Sequence, residues 1–460
     1  MRDDTMCRRH DFFLCIRSLF GAVAIGMSCI AMTGAAAEEV APSPVVQPAP
    51  AAETTDCARL DALNTRSRSA EVQMPVCQTM LSDIGGWRTW LADRGIGFQA
   101  SALAGVNYDV LGHARTPQLY GGQSPTYNTS SYALFTYDLT RLGMPGDAQL
   151  TVKADWYTNS YFPSIRYSGF TAVAINQRFL NGDVELQYGY FDLSHSFYGT
   201  VLGGNPAVAS FGPQSNVLYS AGISSESPTP AAQIILRDPA TQHFYNNFIV
   251  SRSTSPDGQL VENRANPVGL RFSIPGDGAL FVDEVGYKRD ASVSSRSLWV
   301  RGGAVINTSD YPALDKTRSQ TSSLHNRAFY GAATAQLTSP YSDARGLYVD
   351  AKVDYSPSDV ALFAHDYSLT AFILGPFSTR RKDMVSLSWS QSFFSPEERR
   401  TLQARGADSA HSTSSLEISY ALNLARGVYL ISSLTRTWNP VFAPLQPPAL
   451  FVNESVSVTF

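Results

Sequence analysis

The chain has 460 residues, of which 44% are hydrophobic, 11% aromatic and 16% charged, and its formal net charge is −4. The charged fraction lies well below the roughly 25% of soluble globular domains, and the many aromatic residues exclude a disordered chain. The negative net charge argues against a nucleic-acid partner. No segment after residue 37 offers the roughly 18 uninterrupted apolar residues of a spanning helix. An exported soluble β protein or an outer-membrane β-barrel therefore remains.

Residues 1–37 are predicted to be a secretory signal peptide. Arginines precede an apolar run over residues 19–32, and a small-residue cleavage site follows at residues 35–37. An inner-membrane anchor is the alternative, but the apolar run is short for a span. Residues 38–56 are rich in Pro and Ala, which predicts a stiff, solvated linker.

Residues 57–96 are predicted to form a small N-terminal segment on the periplasmic side. Cys57 and Cys77 are the two cysteines that remain after removal of the signal peptide. In an oxidising compartment a disulfide between them is expected, and two free buried thiols are the alternative. Neither cysteine has the Cys or His spacing of a zinc site, so no metal is predicted.

A short helix is predicted at the end of this segment. Trp87, Trp90 and Leu91 fall at positions i, i+3 and i+4, which places them on one helical face. Gly95 suits the left-handed conformation that ends such a helix.

From residue 97 onward the hydrophobic period changes to two. Leu150, Val152 and Trp156, for example, alternate with Lys153 and Asp155. Each alternating segment is close to the about 9–11 residues of a tilted spanning strand. The candidate strands are residues 98–108, 131–138, 149–157, 171–179, 184–191, 267–273, 279–289, 298–307, 329–337, 347–355, 361–374, 384–391, 416–424, 428–438 and 452–460.

A β-sandwich also alternates, so other features must separate it from a barrel. Aromatic residues such as Tyr108, Tyr355 and Trp438 lie at segment ends, as the aromatic girdles of a membrane barrel do. A tight turn at residues 181–183 contrasts with a long polar stretch at residues 194–243. Short turns on one side and long loops on the other are typical of outer-membrane barrels. The sequence therefore predicts an all-β fold, a transmembrane antiparallel β-barrel over residues 97–460.

The polar faces of these strands are predicted to line a water-filled channel, although for each residue a merely solvated wall position is the alternative. The tentative channel-lining residues are Lys153, Asp155, Glu185, Arg301, Asp350, Lys352, Asp354 and Glu417. The long stretch at residues 194–243 is the candidate for an inward-folded loop, with an outward surface loop as the alternative. Its inward candidates are His195, Phe197, Tyr198 and Arg237.

An outer-membrane hydrolase is weighed because Asp192, Ser194 and His195 lie close together in the sequence. On a strand, Asp192 and Ser194 share one face and His195 takes the other, so they form no local relay. No nucleophile elbow, P-loop or zinc-protease motif occurs. The chain is therefore predicted not to be an enzyme, and no cofactor is expected.

Several motifs together resemble the carbohydrate-selective porin family, the OprB-like porins. The strongest is residues 85–96 (GGWRTWLADRGI), although the family has Trp before the two glycines rather than after them. Residues 137–140 (YDLT), 266–271 (NPVGLR) and 438–440 (WNP) add to the match. The resemblance covers residues 83–460. It implies a barrel of 16 strands, monomeric or a homo-oligomer with three copies (a trimer), that passes sugars by diffusion across the outer membrane of a Gram-negative bacterium.

Three functions are therefore carried forward. The first is passive diffusion of sugars or similar small polar solutes into the periplasm. The second is a general or differently selective porin, for polyols, sugar acids or aromatic acids. The third is the hydrolase. Outer-membrane lipid is an expected partner, and the terminal Phe460 resembles the signature that the outer-membrane assembly machinery reads.

Overall fold

The computed structural model describes residues 53–66, 74–161, 166–194, 196–198, 215–223, 227–317, 324–339 and 343–460. The predicted signal peptide and residues 38–52 of the predicted linker lie outside these residues. From residue 96 onward the described chain is built around one sheet that closes on itself.

In the described residues this sheet has sixteen strands, each antiparallel to the next along the chain, and β16 pairs with β1 to close the barrel. The predicted fold class is thereby confirmed. The strands are β1 (Ile96–Asp109), β2 (Thr126–Asp138), β3 (Gln149–Asn159), β4 (Arg166–Phe179), β5 (Val184–Phe191), β6 (Thr229–Arg237), β7 (Phe244–Arg252), β8 (Ala279–Arg289), β9 (Leu298–Tyr311), β10 (Leu324–Gln336), β11 (Gly346–Tyr355), β12 (Phe363–Leu374), β13 (Met384–Phe394), β14 (Ser412–Ala425), β15 (Val428–Trp438) and β16 (Ala449–Thr459).

The strands have the inverse of a soluble protein's burial pattern. In β11, Asp350, Lys352 and Asp354 are buried, whereas Val353 and Tyr355 are exposed. Successive side chains of a strand point to opposite faces of the sheet. Charged residues therefore face the lumen and apolar residues face outward, as lipid contact requires.

The predicted strand positions need two corrections between β5 and β8. Residues 267–273 form no strand and belong to the loop that joins β7 to β8. Conversely, β6 and β7 were not predicted. In β6, Ile234 faces outward while Ile235 is buried in the lumen, and in β7 the polar Asn246 faces outward between Phe244 and Phe248. Both strands therefore lack the clean alternation that reveals the others.

The connections differ in length at the two ends of the barrel. At one end, which we term the loop end, β5 is joined to β6 by residues 192–228 and β7 to β8 by residues 253–278. At the other end, termed the turn end, residues 180–183 join β4 to β5 and residues 426–427 join β14 to β15. Short turns face the periplasm in outer-membrane barrels.

The described helices are short. They are α1 (Glu53–Asp61) and α2 (Trp87–Ala92) before the barrel, and α3 (Asn216–Ser220), α4 (Gln259–Ala265) and α5 (Pro396–Ala404) in loops. Single 3-10 turns occupy Val76–Gln78, Ile84–Gly86, Leu139–Leu142 and Leu180–Gly182. Among the described helices, none is long and apolar enough to cross a membrane.

The N-terminal segment contains the disulfide and the short helix that the sequence suggests. Cys57 and Cys77 are bonded to each other, with their Cα atoms 5.8 Å apart. Gly95 follows α2 with a φ of 76°. The buried residues of α2 are Arg88 and Ala92, whereas Trp90 is 55% exposed.

Lipid contact on the outer face predicts the effect of a charge placed there. Leu369 lies near the middle of β12 and is 49% exposed. We expect Leu369→Arg to lower the free energy of unfolding by about 2–4 kcal/mol, because lipid cannot solvate the guanidinium. Urea unfolding in lipid vesicles measures this change. Leu369→Met is the matched control, and an arginine variant as stable as this control would contradict a lipid-facing position.

Candidate permeation site in the barrel lumen

The loop of residues 192–228 enters the barrel. Its described parts contribute buried apolar side chains that pack on the inner wall. The loop residues in this cluster are Leu193, Phe197, Tyr198, Val217, Leu218, Ala221 and Ile223, and the wall residues include Ile249, Leu280, Val305, Tyr330 and Phe363. The apolar core of the protein thus lies inside the lumen, between this loop and strands β7 to β13.

Among the described residues of the loop, Tyr198 contacts the wall through its main chain and its hydroxyl. Its φ of 66° lies in the left-handed region that a bulky side chain rarely adopts. Its backbone N–H donates to Glu284 Oε2 at 2.9 Å, and its hydroxyl donates to Asp354 Oδ2 at 2.8 Å. Arg301 Nε donates to its carbonyl oxygen at 2.6 Å. Three polar contacts with the wall therefore fix one strained residue.

Glu284 is the centre of this contact and was missed in the sequence. Besides the Tyr198 N–H, it accepts hydrogen bonds from the hydroxyls of Tyr245 and Tyr330, each at 2.8 Å. It is fully buried on the inner face of β8. Its neighbours on that face are Val282 and Gly286, so no run of polar residues in the sequence marks it.

Four of the predicted channel-lining residues come together at the same place. Asp350 lies 2.9 Å from Lys352 Nζ and 3.8 Å from an Arg301 nitrogen. The Lys352 ammonium also lies 5.2 Å from the ring centroid of Tyr198. Their side chains are nearly inaccessible, with Arg301 at 0% and Lys352 at 2%. These residues, with Asp354, therefore hold the loop instead of contacting water in the channel.

The second described part of the loop is anchored by its backbone. The N–H of Val217 in α3 donates to Asp366 Oδ2 at 2.9 Å. Asn307 Nδ2 donates to the carbonyl of Ala221 at 2.8 Å. Since Asp366 and Asn307 belong to β12 and β9, the loop is fixed to wall strands on both sides of β10 and β11.

The other predicted residues form separate groups. Lys153 Nζ lies 3.1 Å from Asp155 on β3, and Glu417 accepts a hydrogen bond from Thr435 Oγ1 at 3.1 Å. Glu185 lies 3.0 Å from an Arg237 nitrogen. The structure thus brings none of these pairs to the Tyr198 site.

Two of the inward-loop candidates need comment. Arg237 was assigned to the loop, but it is the last residue of β6 and lies at the turn end. The unpredicted strand β6 causes this error. His195 lies outside the described residues.

Accessible groups also face the lumen nearer the turn end. Trp299 is half-buried and shares the inner face of β9 with Arg301, whose guanidinium carbon lies 3.8 Å from its ring centroid. Its indole N–H donates to Tyr245 at 2.8 Å. The side chains of Arg178 and Arg237 are 39% and 18% accessible. An aromatic ring and guanidinium groups can contact the apolar face and hydroxyls of a sugar.

Burial sets the protonation of two loop groups. It raises the pKa of the Asp192 carboxyl to about 7, although this carboxyl accepts a hydrogen bond from the Ser194 N–H at 2.7 Å. Burial, reinforced by the nearby Asp354 carboxylate, raises the pKa of the Tyr198 hydroxyl well above its ordinary value. Tyr198 therefore stays protonated and able to donate.

Two residues of the hydrolase hypothesis, Asp192 and Ser194, form a local contact. Ser194 Oγ lies 3.2 Å from Asp192 Oδ2, and both side chains are buried. The contact is made in the turn that follows the end of β5 at Phe191, and not on a strand. In the described part of the chain, no group of three or more His, Cys, Asp and Glu residues is placed to hold a metal ion.

A closed barrel of sixteen antiparallel strands with a loop folded into a charged lumen defines a porin. The profile described as "Carbohydrate-selective porin, OprB family" matches residues 150–442. The chain therefore belongs to the carbohydrate-selective porin OprB family, which confirms the resemblance seen in the sequence motifs. Proteins of this family are channels rather than enzymes.

Solved structures agree in fold. The high-pH structure of Pseudomonas putida OprB is similar with a TM-score of 0.70 at 15% identity, covering 85% of this chain and 99% of that chain. The low-pH structure of Pseudomonas putida OprB has a TM-score of 0.52 at 14% identity, with 85% and 100% covered. None of the curated proteins matches the chain.

The three hydrogen bonds at Glu284 predict the consequence of neutralising it. In Glu284→Gln the amide nitrogen must face a donor, so at least one hydrogen bond to the carboxylate is lost, at a cost of about 1.5–3 kcal/mol. We expect faster proteolysis at residues 192–198 and a lower free energy of unfolding. Asp283→Asn, the adjacent position on the outer face, is the matched control. Equal proteolysis of both variants would show that Glu284 does not hold the loop.

The raised pKa of Asp192 predicts a dependence of stability on pH. Below a pH of about 4, the pKa of an Asp carboxyl in the unfolded state, Asp192 is protonated in both states. Between about pH 4 and the pKa of Asp192 in the folded state, only the folded state keeps the proton. This stabilising contribution is therefore lost as pH rises through about 7. We expect the urea midpoint to fall less between about pH 4 and about pH 8 in Asp192→Asn than in the wild type. The exposed Asp408→Asn should keep the wild-type slope, and an unchanged slope in Asp192→Asn would refute the assignment.

Proposed function

We propose that this porin passes sugars and similar small polar solutes into the periplasm by passive diffusion. The observation that carries the proposal is the loop of residues 192–228, held inside the barrel by Tyr198, Glu284 and Arg301. A loop held rigidly in the lumen narrows a channel that sixteen strands would otherwise leave wide and water-filled. Membership of the carbohydrate-selective porin family supports sugars as the solutes.

The remaining lumen suits a neutral, hydroxyl-rich solute. Trp299 offers an aromatic surface, and Arg178, Glu185 and Arg237 offer donors and acceptors close together. Selective passage requires contacts that are weak enough for the solute to leave again. Paired opposite charges meet this requirement because each is already partly neutralised by its neighbour.

One observation favours sugar acids as a second class of solute. Arg178 interacts electrostatically with Arg66 and Arg237 as well as with Glu185 and Asp147, so three guanidinium groups face two carboxylates near the turn end. A cluster with an excess of positive charge attracts anions. The reversal potential in a salt gradient measures this preference.

Liposome swelling tests the proposed function. We expect glucose and disaccharides to enter vesicles that contain the protein, with amino acids entering more slowly. Gluconate in the same series tests the sugar-acid alternative. If no saccharide enters while other solutes of equal size do, sugar passage is rejected and a differently selective porin takes its place.

Trp299 provides a residue-level test of sugar contact. We expect Trp299→Ala to weaken saccharide-dependent block of single-channel current about fivefold, the equivalent of about 1 kcal/mol of lost ring contact. Trp389→Ala removes an outward-facing tryptophan that is 40% exposed and should leave block unchanged. An equal effect of the two substitutions would exclude a specific role for the lumenal ring.

A further inference from the structure

The N-terminal segment contacts inward-facing side chains of the barrel wall. The carbonyl oxygen of Leu63 accepts hydrogen bonds from Thr136 Oγ1 and, at 3.4 Å, from Gln149 Nε2. The hydroxyls of Thr65 and Thr151 lie 3.0 Å apart. Thr136, Gln149 and Thr151 are all buried on the inner face of β2 and β3. Residues 63–65 therefore lie within the mouth of the lumen and not beside it.

Arg66 continues this contact. Its backbone N–H donates to Gln149 Oε1 at 2.9 Å, and its guanidinium binds the Asp147 carboxylate at 2.6 Å. It also interacts electrostatically with Arg178 on the inner face of β4. The segment thus places a cation at the turn end of the lumen.

The chain meets a different part of the wall at Met74. Its carbonyl oxygen accepts a hydrogen bond from Gln99 Nε2 on β1 at 3.1 Å. Its side chain belongs to a buried apolar cluster on the inner wall of strands β11 to β15. The other members of that cluster are Tyr348, Phe372, Met384, Ala421, Tyr429 and Ile431. Arg66 and Met74 are therefore anchored on separate arcs of the same mouth.

The barrel is shaped to receive this segment. A Cβ on Gly97 would lie 2.3 Å from the Leu63 carbonyl oxygen, and one on Gly427 would lie 2.3 Å from the Met80 nitrogen. Both are closer than any side chain permits, so the two glycines allow main chain to approach main chain. The Met80 N–H also donates to the carbonyl of Thr459 at 2.8 Å.

The disulfide encloses both anchors in one covalent loop. Cys57 precedes the Leu63 anchor and Cys77 follows the Met74 anchor. The covalent bond closes this stretch into a loop, which reduces the conformations open to it when it leaves the wall.

We propose that residues 63–66 and 74–77 form a second constriction at the turn end of the channel, which limits solute size independently of the loop of residues 192–228. This inference rests on the proposed function as a diffusion channel. Solutes would pass between the segment and the part of the wall formed by β4 to β6, which carries Arg178, Glu185 and Arg237. The segment then determines size selectivity at the periplasmic mouth.

Exclusion of neutral polymers from single channels tests the proposal. Polyethylene glycols of increasing size are added to one side of a planar bilayer at a time, with the channels inserted in one orientation. In the double variant Thr136→Val and Gln149→Leu, which removes the wall's hydrogen bonds to the main chain of residues 63–66, we expect larger polymers to penetrate from the turn end. Polymer exclusion from the loop end should stay unchanged, and conductance should rise.

The matched control is Thr370→Val with Gln336→Leu. Both residues are buried on the inner face, and Gln336 binds main-chain groups at the turn end as Gln149 does, but neither has a described contact with the N-terminal segment. This control should keep the wild-type exclusion limits. Gln99→Leu, which removes the hydrogen bond to Met74, gives a second, independent variant in case the first does not fold.

The outcomes separate the proposals. A shift at the turn end alone, in either folded test variant, supports the constriction. No shift in either folded variant overturns it, and an equal shift at both ends overturns it as well, because the whole barrel has then loosened. Polymer exclusion requires no sugar, so a failure of sugar swelling with an intact turn-end shift rejects the proposed solute and leaves the constriction standing.

Discussion

A closed sheet in lipid gives its side chains two environments, and the rest of this structure depends on that division. Outward positions have no water to solvate a charge, so the charged residues of a strand such as β11 collect on its inner face. Inside, the same charges lie near one another on one strand or on neighbouring strands. Burying them costs free energy unless each has a partner. Asp350 with Lys352 and Glu185 with Arg237 are the result.

A wall of paired charges is also a surface on which other parts of the chain can be fixed. The hydroxyls of Tyr245 and Tyr330 on the wall do not use all the acceptor positions of Glu284. The Tyr198 N–H donates to another of them. The left-handed backbone at Tyr198 costs free energy, which the surrounding hydrogen bonds offset. The loop is therefore held by polar side chains of the wall. These side chains face the lumen because they cannot face lipid.

The sequence predicts the barrel more completely than it predicts the site. Alternation identifies fourteen of the strand positions and the inward face of Lys153, Asp350 and Glu417, because both follow from a period of two within one segment. It fails for β6 and β7, where the outward Asn246 and the inward Ile235 break the period.

The contacts of the site lie beyond such local patterns. Tyr198 meets Glu284, Arg301 and Asp354, residues that follow it by between 86 and 156 positions. The closure of the sheet and the path of the loop bring these residues together. The alternation of residues within one strand predicts neither feature. For the same reason Arg301, Asp350, Lys352 and Asp354, which the sequence predicts to line the channel, pack at the loop. Glu284 and Trp299 are not predicted from the sequence.

Main-chain groups hold both parts of the chain that enter the lumen. The loop of residues 192–228 adds side-chain contacts such as that of the Tyr198 hydroxyl with Asp354. The N-terminal segment offers main-chain groups at Leu63, Arg66 and Met74 to side chains of the wall. The position of the segment therefore depends more on residues of the barrel than on side chains of the segment. These barrel residues are Gln99, Thr136, Gln149 and two glycines. It follows that a substitution of the Arg66 side chain removes its contact with Asp147 but leaves the main-chain hydrogen bonds that hold the segment to the wall, such as that of the Arg66 N–H with Gln149.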